Sequence, residues 1–409
     1  MTAPPDRTTA APQSALPPHV RRRSLTAILV CITVCGAGWG MSLLLLPIVM
    51  ERAGVSGSLI GWNTAIGGLA TVVLPPMFPF VLRRLGFIGA LALSLALCIG
   101  SLLVFHGTSD LTVWFAARFV LGVGLTGMFT ATETWLNLMA EEHYRGKVLG
   151  LYGTGLAGGF ALGTGTVALV GSQGFAPFGV TILIFILGGL ALLPARGISP
   201  RIETLPGLNI LSILRSAPTP MAAAIVFGAI EMGILSLIAV YGLRAGMAEP
   251  EAALMATVIA VGNLVFQVPL GALSDRIDRR LMLTMCAGGS LVSAVAIPLS
   301  LGTPALLYPV LFLFGGAVVG IYTIGLTALG EHFRGATLPM ANAAFVMMYG
   351  FGNLFGPPVT GAAMDVWNPH GLMAMLGLFC GVYLVLPARE WLNARRRARS
   401  GAGNPARRR

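Results

Sequence analysis

Long apolar runs, repeated along the whole chain, constrain this sequence more than anything else in it. By inspection there are twelve, at about 25–48, 58–82, 86–106, 111–138, 147–170, 174–194, 219–243, 251–274, 281–301, 304–329, 335–363 and 371–388. A helix of roughly 20 residues crosses the hydrocarbon of a bilayer. In lipid a segment must satisfy its own backbone hydrogen bonds, which leaves helices as the form such runs take. The expected fold is therefore all-α, a polytopic membrane protein of twelve transmembrane helices. Composition agrees: only 10% of residues are charged, against roughly 25% in soluble domains. That excludes a soluble enzyme and a disordered regulator. The five cysteines all fall inside apolar runs and are odd in number, which argues against a disulfide-built secreted domain. Cys31 and Cys35 share a helix face, but with no His or carboxylate beside them they read as packing residues, and no metal or cofactor is expected.

The net charge is +11, yet the basic residues do not form a nucleic-acid surface. With the N-terminus inside, 23 of the 26 Lys and Arg fall on the inner side, in alternate connections and the two tails. Arg52 and Arg244 fall outside and Arg118 lies within a span. Such asymmetry is expected to place both termini in the cytoplasm. Residues 1–23 read as a disordered tail rich in Pro, Ala and Thr, without the short hydrophobic region and cleavage site of a signal peptide.

The chain repeats itself. Glu142-His-Tyr-Arg-Gly146 returns as Glu331-His-Phe-Arg-Gly335, and Arg52-Ala-Gly54 returns as Arg244-Ala-Gly246. A basic pair closes span two (Arg83, Arg84) and a basic cluster closes span eight (Arg276, Arg279, Arg280). These matches imply two pseudo-symmetric six-helix bundles, 24–194 and 219–390, joined by a cytoplasmic linker at 195–218 and followed by a basic tail at 391–409. Two such halves suggest a site at their interface near the midplane, with alternating access.

Few polar side chains lie inside the spans, and these are the candidates. Glu231 sits in the middle of span seven, and Arg118 in the outer half of span four. Intramembrane charges are costly and are retained where they face protein or water. Glu231, which has a proton to exchange, is the leading protonation candidate. Arg118 serves either coupling or helix packing. With Gly122, Thr126, Thr130, Glu133 and Asn137 it forms a stripe on one face of span four. Glu133, nearer the cytoplasm, suits a gate latch or a structural pair with loop arginines. Asn63, Asn263, Gln267, Tyr349 and Asn353 are candidate lining residues, able to hydrogen-bond a solute or to hold helices together. No Walker A sequence and no paired aspartates for a metal-bound diphosphate occur, so neither an ATP-driven pump nor an enzyme is expected.

The segment Gly271-Ala-Leu-Ser-Asp275-Arg276-Ile-Asp278-Arg279-Arg280 resembles the loop signature of the major facilitator superfamily, with Asp278 where glycine is usual. The copy between spans two and three is degenerate, with Pro79 and Arg83 at the glycine and aspartate positions. Arg118-Phe-Val-Leu-Gly122 resembles that family's span-four signature. Glu133-Thr-Trp135-Leu136-Asn137 and Asn342-Ala-Ala-Phe are similar to its YcaD-like branch. The resemblance covers about 24–390. It implies the superfamily fold, a proton-linked role for Arg118, and a cytoplasmic charge latch at Asp275 and Arg276, to which Arg279, Arg83 and Glu133 are added as gate candidates. Span five lacks the Gly-Pro of the antiporter signature. The expected function is a monomeric secondary transporter that moves a small solute with protons. A non-transporting sensor with the same fold, or a polytopic enzyme, is the alternative.

Overall fold

The computed structural model describes residues 18–139, 145–193, 217–274, 276–333 and 338–402. The regular elements among these residues are helices. Span one is Pro18–Arg52, and spans two and three lie within Gly57–Gly107. Span four is Leu111–Met139, five Arg145–Val170, six Ala176–Ala191, seven Pro218–Arg244 and eight Glu249–Ser274. Span nine is Arg279–Ser300, ten Pro304–His332, eleven Leu338–Val366 and twelve Gly371–Ala402. Ten of these stretches are long and apolar enough to cross a bilayer, and span six is a shorter apolar helix.

Spans two and three reverse at Gly86, whose φ of 66° and ψ of 177° are non-helical and suit a residue without Cβ. Span four records the reversal. Gly67 and then Phe78 of span two meet Gly122 and then Gly127, so these two spans run the same way. Phe87 of span three stacks on Trp135 at 5.6 Å and Phe105 meets Trp114 at 5.2 Å, so span three runs opposite. Two expected boundaries shift. Span one already starts at Pro18 and span twelve continues to Ala402, because helical hydrogen bonding extends past the apolar stretch into the polar flank. Most of the expected linker, with residues 142–144 and 334–335 of the repeated motif, lies outside the described residues.

The two halves are built alike. Span one packs on five as seven packs on eleven, and span four packs on two and three as span ten packs on eight and nine. Cys98 of span three faces Gly124 of span four, and Cys286 of span nine faces Gly320 of span ten, so these thiols are equivalent packing residues in the two bundles. Gly54 and Gly246 close spans one and seven at φ 76° and 85°, with matching caps: Val55 N donates to Met50 O and Met247 N to Gly242 O. The bundles meet along spans two and eleven, five and eight, and one and seven. Exchanging the halves turns the first pair into the second. The interface thus has the pseudo-two-fold character the repeat suggested. The start of span one and the end of span twelve lie on one face of the bundle, the tail face; the other is called the distal face.

Candidate functional site

Span seven is the most enclosed of the membrane-length helices among the described residues, and Glu231 lies thirteen residues from either end of it. Its neighbours from Met232 to Gly242 are buried, whereas Glu231 keeps partial exposure. Because spans one, two, eight, ten, eleven and twelve surround this helix, that exposure is to an internal space. Both carboxylate oxygens accept a hydrogen bond. Asn263 Nδ2 of span eight donates to Oε1 at 3.2 Å, and the Tyr349 hydroxyl of span eleven donates to Oε2 at 2.9 Å. Neutral donors thus orient a carboxylate in the middle of the bilayer. Three rings stand beside it. Phe227, one turn before Glu231, lies 4.8 Å from Tyr322 and 5.7 Å from Tyr349, and the two tyrosines are 5.8 Å apart. One turn beyond Tyr349, buried Asn353 packs against Gly68 of span two and Gly228 of span seven. Its Oδ1 is buried without a hydrogen-bond partner.

The other half offers a more dispersed set. Arg118 is buried in span four, its Nη1 donating to the Ser42 carbonyl of span one at 3.3 Å and its side chain lying against Gly67. It forms no ion pair with Glu231. Asn63 is buried on span two with Nδ2 lacking a partner. Glu133 lies nearer the tail face, within electrostatic reach of Tyr152 in its own half and of Tyr322 in the other. It therefore faces the space between the bundles.

At the distal face a charged network ties the halves together. Arg244, ending span seven, donates from Nε and Nη2 to both oxygens of Glu51 at the end of span one (2.8 and 2.9 Å), and from Nη1 to Asp365 of span eleven at 3.0 Å. Asp365 also accepts from the first backbone amides of span two, Gly57 N and Ser58 N, each at 2.8 Å. Arg52 pairs with Glu249 at the start of span eight. Deeper in, Thr257 of span eight donates to Thr164 of span five at 3.2 Å. Among the described residues, these polar links between the halves gather at this end.

A family model described as the Major Facilitator Superfamily matches residues 28–250 and 221–408. The chain belongs to this superfamily. The Bacillus subtilis (strain 168) protein named "uncharacterized MFS-type transporter YfkF" is 26% identical over 367 residues, covering 88% of this chain and 93% of that protein. An MFS-type transporter YcaD of Salmonella dublin is 22% identical over 348 residues, covering 85% and 90%. Among solved structures, a bacterial homologue of the human lysosomal transporter Spinster, inward-facing and unoccupied, superposes with a TM-score of 0.74 at 14% identity, over 93% of this chain and 98% of that one. A point mutant of the nucleoside transporter NupG gives 0.71 at 16% identity, over 91% and 99%. At such identities these two likenesses speak to the fold, and the fold is that of a superfamily transporter in a lipid bilayer.

The residues expected from sequence take up different places in this superfamily member. Glu231, Asn263, Tyr349 and Asn353 converge on one site. Gln267 is exposed one turn closer to the tail face than Asn263, and Asn63 and Arg118 stand in the opposite half. Of the gate candidates, Asp275 lies outside the described residues, and Arg83 and Arg276 are exposed. Arg279 pairs with Glu331 at 2.5 Å and donates to the Thr327 carbonyl at 3.3 Å, binding the loop to span ten of its own half. Asp278, which departs from the superfamily signature, caps span nine by accepting from Arg280 N at 2.8 Å. Sequence reasoning missed Phe227 and Tyr322, since an aromatic residue in an apolar span gives no sign of its own. It also missed the distal network. Arg52 and Arg244 stood out there as the two exceptions to the charge asymmetry, and acids at the same span ends were the available signal.

Proposed function

We propose that this transporter moves a small solute across the bacterial inner membrane by alternating access coupled to protons, with Glu231 as the group that takes and releases the proton. The observation that carries this reading is a mid-span carboxylate that faces an internal space and has only neutral hydrogen-bond partners. Such a charge is costly in the bilayer unless something neutralises it, and a proton does so reversibly. The neighbours fit both states. With Glu231 ionised, Tyr349 and Asn263 donate to it. With Glu231 protonated, its new O–H donates to the Tyr349 oxygen, and the Tyr349 hydrogen turns to an acceptor such as the unfilled Asn353 Oδ1. A proton is thereby exchanged without leaving a buried donor unpaired.

The distal clustering of cross-half links supports a state closed at the distal face and open toward the tail face, which we assign to the cytoplasm from the arginine distribution. Arg118, held in the opposing half by the Ser42 carbonyl of span one, serves the packing of that bundle. In proteoliposomes loaded with a pH-sensitive dye and screened with solute pools, a solute that moves protons through the wild type is expected to move none through Glu231→Gln. Undiminished proton movement in that variant would remove Glu231 from the mechanism.

A further inference from the structure

The surroundings of Glu231 also say what kind of cargo the site accepts. We propose that Glu231, Asn263 and the rings of Phe227, Tyr322 and Tyr349 bind the charged head of an organic monocation, a substituted ammonium group on an apolar body. The proposal rests on the transporter reading only in treating that cation as cargo; the binding site stands or falls separately.

The charge at the site has one sign. Tyr322 of span ten and Tyr349 of span eleven lie within electrostatic reach of Glu231, and span eight contributes the neutral Asn263. A second acid, Glu133, adds to the same sign through its reach to Tyr322. Arg118 is turned to the Ser42 carbonyl of span one, so among the described residues no cation pairs with the carboxylate. An anionic solute meets repulsion here, and a neutral one leaves the carboxylate uncompensated.

The shape of the site selects among cations. Calcium or magnesium takes about six or more oxygens and zinc about four His, Cys or carboxylate ligands, whereas this site presents a carboxylate, an amide and aromatic surface. Tyr322 and Tyr349 keep part of their side chains open while Phe227 backs them as a buried third ring. Ring faces next to a carboxylate suit a weakly hydrated ammonium, which gains from the quadrupole of each ring within about 6 Å. Asn263 and Tyr349 hold the two carboxylate oxygens without cancelling their charge. The proton and the cation then exclude each other: the protonated acid plus cation gives carboxylate–cation pair plus free proton, one for one.

The test is isothermal titration of the purified full chain in nanodiscs with phenyltrimethylammonium. Benzenesulfonate serves as anion control, and choline with its neutral analogue 3,3-dimethyl-1-butanol as the matched pair. The wild type is expected to bind phenyltrimethylammonium, and choline more tightly than the alcohol, with proton release visible as a dependence of the heat on buffer ionisation. Glu231→Gln should weaken phenyltrimethylammonium binding about tenfold or more and abolish the proton release. Phe227→Leu should weaken it roughly threefold while Phe227→Tyr keeps it. Equal binding of the alcohol, undiminished affinity in Glu231→Gln, or absence of cation binding by the wild type would overturn the proposal. The wild-type proton release decides the matter even if the variants do not fold. Cation binding without solute flux in the same preparation would sink the transporter reading alone. Proton-linked flux of a neutral or anionic solute with no cation binding would sink this inference alone.

Discussion

Replacing Arg244 by alanine removes the centre of the distal network and is the perturbation with the most readable consequence. Three charge-assisted hydrogen bonds go with it, two to Glu51 and one to Asp365. Hydrogen bonds to charged groups contribute about 1.5–3 kcal/mol each when shielded, and exposed ion pairs about 0–1 kcal/mol. The Arg244 side chain is 13% exposed and Asp365 27%, between those limits, so about 2–3 kcal/mol is a fair sum for the cluster. These bonds join span seven to spans one and eleven, and span seven through Asp365 to the start of span two. They exist when the distal ends are together. Their loss should favour the distal-open state by roughly 30- to 150-fold. A cysteine at Thr257, packed against Thr164 of the other half, reports that opening. The described native cysteines are all buried, which keeps the background low. In Arg244→Ala the Thr257→Cys site should react with an impermeant maleimide at least about 30-fold faster than in the Arg244 background. Arg276→Ala, on the tail face, should leave the rate unchanged. An unaltered rate in Arg244→Ala would show that the network does not hold the distal ends shut.

Two further outcomes follow from the same geometry. Tyr349→Phe keeps the ring but removes the donor to Glu231 Oε2, so proton-linked flux should fall roughly tenfold with the protein still folded; normal flux would show that the hydroxyl takes no part. Gly61→Ala places a methyl against the Pro357 backbone across the interface, whereas Gly100→Ala enters open space. The first should mimic Arg244→Ala in the Thr257→Cys labelling assay and the second should not.

The spans were legible because apolar runs of bilayer length have one structural outcome. The halves were legible because short polar motifs recur between them. The site was only partly so. Glu231 announced itself as a carboxylate in an apolar run, and Asn263, Tyr349 and Asn353 as polar residues in others, but nothing in the sequence says that three spans bring these together. Phe227 and Tyr322 stayed hidden because an aromatic ring there carries the same signal as core packing. The pairing of Arg244 with Glu51 spans 193 positions and depends on how two separately folded bundles dock, which local patterning does not encode. Arg279, expected as a gate residue, pairs with Glu331, a contact set by the approach of span ten to the loop after span eight and not legible in the local pattern.

The seam between spans two and eleven has a consequence for movement. Gly57 and Gly361 lie backbone to backbone, Gly61 lies against the main chain of Pro357 and Pro358, and Gly68 faces Asn353. Where side chains interdigitate, separation requires each to swap conformers in turn. Two smooth main chains can instead peel apart from one end like a zip fastener with its teeth removed, the distal ion pairs being the clasp. Traffic through such a door is then governed by the clasp, not by friction along the jamb.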